Sequence, residues 1–398
     1  MCSRSSLLIH PMKYYVIAGE RSGDLHAANL IKALKAEDPQ AQFRAWGGEG
    51  VQLAGAELVT HYRQMAFMGF LEVIKNLRTI SGFLKTCRQD ILAWQPDVVI
   101  LVDYAGFNMR IAKFCKRHGI RTFYYISPKV WAWNQNRAYK IKANVDRMFV
   151  IFPFEKDFYN RFGYDVDYVG NPLLDEISAF TPNADFLNSN GLSPKPIIAL
   201  LPGSRHQEVE KMLVLMVQAA QLLEAKLPGK YQFVVAGVGN LPQTLYNRIV
   251  SFENAKPTLS VSVVYDQSYD LLSHATSALV TSGTATLETA LFGVPQVVCY
   301  RTSGFSYRIA KALIKVKYLS LVNIIADSPI VPELIQDELT PQNSILELSQ
   351  TLPGAPQREA QLEGYRKLKE LLGEPGASQR TAKLMVEYLV QPQAAGNR

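Results

Sequence analysis

The sequence predicts an α/β protein built as two doubly wound, Rossmann-like domains, each a parallel sheet covered by helices on both faces. Three observations carry this. Apolar runs rich in Val, Ile, Tyr and Phe recur with helix-length segments between them. The runs are short and nearly continuous rather than strictly alternating, as strands buried on both faces must be. The rhythm pauses once, at 171–196, where "NPLLDEISAFTPNADFLNSNGLSPKP" gathers Pro, Asn and Ser, and then starts again.

In the first half the expected strands are 14–18, 43–46, 98–102, 122–126, 148–152 and 166–169. In the second they are 197–201, 233–236, 261–264, 278–281 and 296–300. Helical stretches follow at 342–348, 357–372 and 378–390. The expected organisation is an extension or over-called start at 1–12, a first domain at 13–172, a second at 173–375, and a last helix and tail at 376–398. Ligands of open parallel sheets bind beyond the carboxyl ends of the strands. Two such sheets facing a cleft would therefore present their strand-end loops to it.

Composition narrows the class. A hydrophobic fraction of 48% with 19% charged residues is that of a globular protein. Its four cysteines form no CxxC pair, which suits a reducing compartment, and its six histidines form no metal-binding cluster. We therefore expect no metal and no cofactor. No uncharged apolar stretch approaches the roughly 20 residues of a membrane span. A net charge of +7 favours anionic partners such as phosphate, nucleotide or acidic lipid.

The strand ends hold the candidate chemistry. "GERSGD" (19–24) leaves the first strand with more polar groups than capping needs. Gly19 and Gly23 allow close approach, while Glu20, Ser22 and Asp24 can orient hydroxyls; Asp24 is as well suited to capping a helix at 25–35. "DYAGFN" (103–108) places Asp103 directly after the apolar run 98–102, where a general base belongs. A helix cap is the alternative. "PGSR" (202–205) can turn the N–H groups of Gly203 and Ser204 toward an anion, with Arg205 as a bidentate donor. "SGTATLE" (282–288) opens a helix through Ser282, Gly283 and Thr284, small enough for a diphosphate to approach, and Glu288 can reach back to ribose hydroxyls. "DVD" at 165–167 looks like a metal-binding DxD, but Asp167 more simply alternates with Val166 in a strand. Trp131 and Trp133 beside Lys129 and Arg137 fit a loop at the edge of a cleft better than a nucleic-acid surface.

Taken in order, "AGERSGD", "MGFLEV", "PDVVILVDYAGFN", "YYISPKVWAW", "FPFEKDFY", "VGNPL", "LLPGSR", "SGTATLE" and "KYLSLVNIIA" resemble the lipid-A-disaccharide synthases, glycosyltransferases of GT-B fold. The resemblance runs over most of residues 13–327. It implies transfer of 2,3-diacylglucosamine from its UDP derivative to 2,3-diacylglucosamine 1-phosphate, with inversion. Asp103 matches the family's catalytic aspartate, "GERSGD" and Asn108 lie on the acceptor side, and Asn323 matches a position close to the donor, where Arg301 adds positive potential. Two departures stand out. "YAGFN" replaces the Pro-Asp-Phe-Asn of relatives, so Gly106 removes a second carboxylate, and Arg21 stands where relatives have a small residue. A UDP-N-acetylglucosamine 2-epimerase shares the two-domain plan and is the competing reading. A non-catalytic lipid-binding protein on the same scaffold is the other.

Substrates with acyl chains imply a peripheral partner, the cytoplasmic face of the inner membrane. On a helical wheel Phe70, Val73, Leu77, Ile80, Leu84, Cys87 and Ile91 form one apolar arc, flanked by Lys75, Arg78, Lys85 and Arg88. With Phe67 and Met68 just before it, this segment is the expected membrane contact. A helix covering the sheet accounts equally well for the inner apolar positions.

Overall fold

Among the residues described by the computed structural model (11–65, 77–253, 259–302 and 316–390), a seven-stranded and a six-stranded sheet form, and every strand pairing is parallel. The chain divides into two compact units, Met1–Asp175 with Glu374–Arg398, and Glu176–Gly373.

The first unit holds β1 (Lys13–Ala18), β2 (Gln42–Gly47), β3 (Glu57–His61), β4 (Val98–Val102), β5 (Arg121–Tyr125), β6 (Arg147–Val150) and β7 (Asp167–Tyr168). Their order in the sheet is β3-β2-β1-β4-β5-β6-β7. The order reverses between β1 and β4, and all five residues of β4 are buried. Right-handed crossovers then send the helices after β1 and β2 to one face and those after β4 and β5 to the other. Helix Arg21–Glu37 accordingly packs on Glu49–Leu53, whereas Ala105–Arg117 packs between Leu77–Trp94 and Arg137–Asn144.

The second unit repeats the plan with β8 (Ile197–Leu201), β9 (Gln232–Gly237), β10 (Val261–Tyr265), β11 (Ala275–Thr281), β12 (Gln296–Tyr300) and β13 (Glu333–Ile335), ordered β10-β9-β8-β11-β12-β13. Here the reversal falls between β8 and β11. Helix His206–Lys226 buries Val209, Met212, Leu213, Met216 and Leu223 in a cluster with Phe233 and Val235 of the sheet. Each such side chain contributes about 1.5–3 kcal/mol on leaving water.

Two strands, β3 and β13, were not expected from the sequence. Both are edge strands, and each opens on a glutamate, so a short run paired on one side carries little apolar signal.

The last helix, Ala377–Val390, belongs to the first unit, where it packs on Arg21–Glu37. The Asp175 carboxylate caps it, accepting from the N–H groups of Ala377 and Ser378, both at 3.2 Å. At its other end the Tyr388 hydroxyl donates to both Asp167 oxygens at 3.1 Å, and the Arg147 guanidinium lies 3.9 Å from the Tyr388 ring centre. Asp167 of the DxD-like pair is thus engaged by a helix anchor. Among the described residues no cluster of His, Cys, Asp or Glu could hold a metal ion.

Among the described residues no helix is long and apolar enough to cross a membrane. Of the expected membrane segment, Phe67, Met68, Phe70 and Lys75 lie outside the described residues, as does the side chain of Arg78. In helix Leu77–Trp94 the arc of Ile80, Leu84, Cys87 and Ile91 is buried in the protein's own core, so these positions cover the sheet. Lys85 is exposed, and Arg88 lies 5.6 Å from the Phe114 ring centre.

Candidate active site

Register decides which loops meet. In the first sheet Ala18 of β1 pairs with Val102 of β4, so the next residues, Gly19 and Asp103, leave the sheet side by side at its topological switch point. In the second sheet Leu201 of β8 pairs with Val280 of β11, which sets "PGSR" beside "SGT" at the corresponding point. Both pairs of candidate loops therefore sit where an open parallel sheet binds its ligands.

Asp103 and Tyr104 are both left-handed, with φ of +46° and +48°. Such a conformation costs of order 1–3 kcal/mol for a residue with a side chain and must be held by its surroundings. Several bonds hold it. The Asp103 N–H donates to the Tyr125 carbonyl at 3.1 Å. Its carbonyl accepts from the Tyr124 hydroxyl and from Asn108 Nδ2, the latter at 2.8 Å. The same Asn108 nitrogen reaches the Val102 carbonyl at 3.2 Å. Asn108 is fully buried, so it braces the turn from below. Gly19 completes the arrangement, because a Cβ there would run into the Tyr104 ring.

Burial pushes the Asp103 carboxyl above its ordinary value, and the charge of Lys129, the Tyr104 N–H and His26 partly offset this. Lys129 and His26 thus join the group around Asp103, and sequence reasoning gave neither a role there. A lysine in the polar turn "SPK" and a histidine one turn into the helix were the available signals.

Asp24 serves a different structure from the cap considered for it. The helix begins at Arg21, with Glu20 at its N-cap position, and Asp24 is buried inside the first turn. Its carboxylate accepts from the N–H groups of Gly48, Gly50 and Val51 at 2.6, 2.9 and 3.2 Å. A Cβ at Gly47, Gly48 or Gly50 would press on these oxygens, within 2.9, 2.9 and 2.7 Å. "GGEG" therefore wraps the carboxylate of Asp24. Glu20 and Ser22 stay exposed, and Gly23 is buried with ordinary packing room around it.

In the second unit Gly203 is left-handed at φ +100°, and Arg205 is the N-cap residue of His206–Lys226. Ser204 and Arg205 are exposed, and Arg205 pairs with Glu208 at 2.7 Å. Across the switch point the Ser282 N–H donates to the Cys299 carbonyl at 3.1 Å, and its hydroxyl donates to the Leu319 carbonyl at 3.2 Å. Gly283 is the N-cap of Thr284–Leu291, and a Cβ there would meet nothing within 4 Å. Thr284 is exposed, and Glu288 is half-buried with its charge acting on Tyr269.

Two predicted donor residues prove to be engaged inside the second unit. The Arg301 guanidinium donates to the carbonyls of Gln336 at 2.9 and 3.2 Å and of Leu339 at 2.7 Å, fixing the turn after β13. Asn323 is buried; its Nδ2 donates to the Val331 carbonyl at 2.8 Å and to Glu333 at 2.9 Å, and its Oδ1 accepts from the Val331 N–H at 3.0 Å. Glu333 also accepts from the N–H groups of Leu319 and Ser320, and so ties "YLSLVN" to β13.

The family described as lipid-A-disaccharide synthetase matches residues 14–387. The chain belongs to that family. A lipid-A-disaccharide synthase of Geobacter metallireducens is 38% identical over 375 residues, covering 94% of this chain and 96% of its own. Membership makes the protein a glycosyltransferase of lipid A biosynthesis. Solved structures share the fold at low identity. A UDP-GlcNAc 2-epimerase from Neisseria meningitidis bound to UDP-GlcNAc is 14% identical with a TM-score of 0.61, over 96% of this chain and all of that one. The calicheamicin glycosyltransferase is 15% identical with a TM-score of 0.59, again over 96% and 100%.

Replacing Asp24 by Asn tests the wrapped carboxylate. One amide oxygen cannot serve three backbone donors, and its NH2 group would face N–H groups. The variant should lose about 2 kcal/mol of stability, read as a lowered urea midpoint at unchanged slope. A midpoint within error of wild type would show that the 48–51 loop finds its acceptors elsewhere.

Proposed function

We propose that the chain transfers 2,3-diacylglucosamine from its UDP derivative to the 6-hydroxyl of 2,3-diacylglucosamine 1-phosphate. The products are a β(1→6) disaccharide 1-phosphate and UDP. The acceptor oxygen forms its bond to the anomeric carbon as the bond to the diphosphate breaks on the opposite face, so configuration inverts. The hydroxyl proton passes to the Asp103 carboxylate, and the electron pair leaves with UDP.

One observation carries the assignment: Asp103 stands at the first sheet's switch point with a carboxyl made more basic by burial. A base with a raised pKa removes a proton more effectively near neutral pH than an ordinary aspartate. On this reading "GERSGD" faces the acceptor. In the second unit, the N–H groups of Gly203, Ser204, Gly283 and Thr284 receive the diphosphate, Arg205 exchanges Glu208 for it, and Glu288 accepts from the ribose. Arg301 and Asn323 act through the turns they hold.

The acyl-bearing substrates also support a peripheral place on the cytoplasmic face of the inner membrane, with Phe67, Met68, Phe70, Lys75, Arg78, Lys85 and Arg88 as the contact. Further support is electrostatic. Residues 104–145 include nine lysines and arginines and no acidic residue. Of these, Arg110, Lys113, Arg117, Arg137, Lys140 and Lys142 are exposed on the neighbouring helices Ala105–Arg117 and Arg137–Asn144. Such a face attracts anionic lipid. The buried free thiols Cys87, Cys115 and Cys299 fit a reducing compartment.

Incubation with UDP-diacylglucosamine, with and without acceptor, should yield UDP and a disaccharide phosphate only when acceptor is present. An epimerised UDP-sugar formed without acceptor would favour the isomerase instead. In the same assay Asp103→Asn should fold normally and lose about two orders of magnitude in kcat. Arg205→Ala and Glu288→Ala should chiefly raise the donor KM. Near-native kcat in folded Asp103→Asn would remove that residue as the base.

Co-sedimentation with anionic vesicles should weaken as salt rises. It should weaken further in Phe67→Ser/Met68→Ser, and in a variant with Lys75, Arg78, Lys85 and Arg88 changed to Gln. If neither variant binds less than wild type, the membrane face lies elsewhere.

A further inference from the structure

Within the first unit lies a buried carboxylate that the transfer reaction does not use. Glu155 is 1% exposed, in the first turn of helix Pro153–Asn160. Its Oε2 accepts from the N–H groups of Ile151 at 3.2 Å and Phe152 at 3.0 Å, and its Oε1 accepts from Trp131 Nε1 at 3.1 Å. The Ser127 hydroxyl shares a 2.7 Å hydrogen bond with the Tyr159 hydroxyl and favours the ionised form of Glu155. Neutral donors alone meet the charge in these contacts. A capping box explains the Phe152 N–H bond, and the Ile151 N–H just after β6 meets the same oxygen. The box does not explain why the remaining oxygen is spent on an indole 24 residues away.

Trp131 lies on the 127–133 turn, 4% exposed, its ring edge-on to Phe152 and Phe154. The same turn carries Lys129, whose charge favours the ionised form of Asp103. One short segment therefore has its anchor on Glu155 and its lysine in the field of the proposed base.

We propose that Glu155 is a positioning residue: by clamping Trp131 it holds the 127–133 turn, and with it Lys129, where β5 delivers that turn beside Asp103. The inference rests on the reading of Asp103 as the base. Burial raises the Glu155 carboxyl to about 7, with the Trp131, Ser127 and backbone bonds pulling the other way. Tyr159 and Tyr168, the phenols whose titration its charge affects, are raised well clear of neutrality. The clamp therefore tightens as pH rises through neutrality and slackens below it.

The chain has four tryptophans, so nitrogen-labelled protein gives four indole N–H resonances. One should lie downfield and titrate near neutral pH. It should vanish in Trp131→Phe and become insensitive to pH in Glu155→Gln. In transfer assays both variants, checked as folded by thermal melts, should lower kcat about tenfold with donor KM within about twofold. The acid limb of kcat should move to higher pH as Lys129 loses its place. Glu155→Gln keeps an acceptor for the indole and should retain more activity than Glu155→Ala. Folded variants with unchanged kcat and acid limb would reduce Glu155 to a packing residue and overturn the proposal. An indole resonance that does not titrate would overturn the clamp itself. An active Asp103→Asn would instead remove the base, while the resonance would still report whether Trp131 is clamped.

Discussion

Everything proposed for the first unit depends on the parallel register of β1 with β4. Five consecutive residue pairs, Tyr14 with Val98 through Ala18 with Val102, bring two distant segments out of the sheet together. A slip of one residue would turn every side chain of a strand to the other face and pull Asp103 away from Gly19. Both strands are buried along their length, so each side chain has a fitted place in the core that a slip would misfill. β8 and β11 do the same for the second unit through Leu201 and Val280. The sheets do not perform the chemistry; they fix which loops are neighbours.

Strain is the second ingredient. Two successive left-handed residues at 103 and 104 are tolerated because Asn108, Tyr124 and Gly19 leave the backbone no roomier choice. The result is an acidic side chain at the end of a fully buried strand, where the cost of desolvation is converted into basicity. Asp24 shows the contrasting use of a buried carboxylate: three backbone donors consume it, and it organises a loop. Glu155 lies between these cases, half committed to its own helix and half to Trp131.

The sequence was most legible where burial dominates. Eleven strands, the two-sheet plan and the four strand-end loops follow from apolar runs and the polar turns that end them. β3 and β13 were hidden because an edge strand buries only part of itself. Site roles were less legible, because residue type does not reveal which partner a side chain finds. Arg301 faces carbonyls, and Asn323 closes a knot with Glu333. The partners lie 35 and 38 residues on for Arg301 and 8 and 10 for Asn323, beyond the spacings that helix or strand periodicity reveals. The "GGEG" turn was readable in principle, since three glycines in four residues announce close approach, but only the fold shows that Asp24 is what approaches.

The central claim is that the fold makes Asp103 a stronger base than a free aspartate. Carbon-labelled aspartate carboxyls can be titrated by NMR in the resting protein, with Asp103→Asn supplying the assignment. The account predicts that the Asp103 resonance titrates clearly above the ordinary aspartate value of about 3.9. A midpoint at or below that value would contradict it.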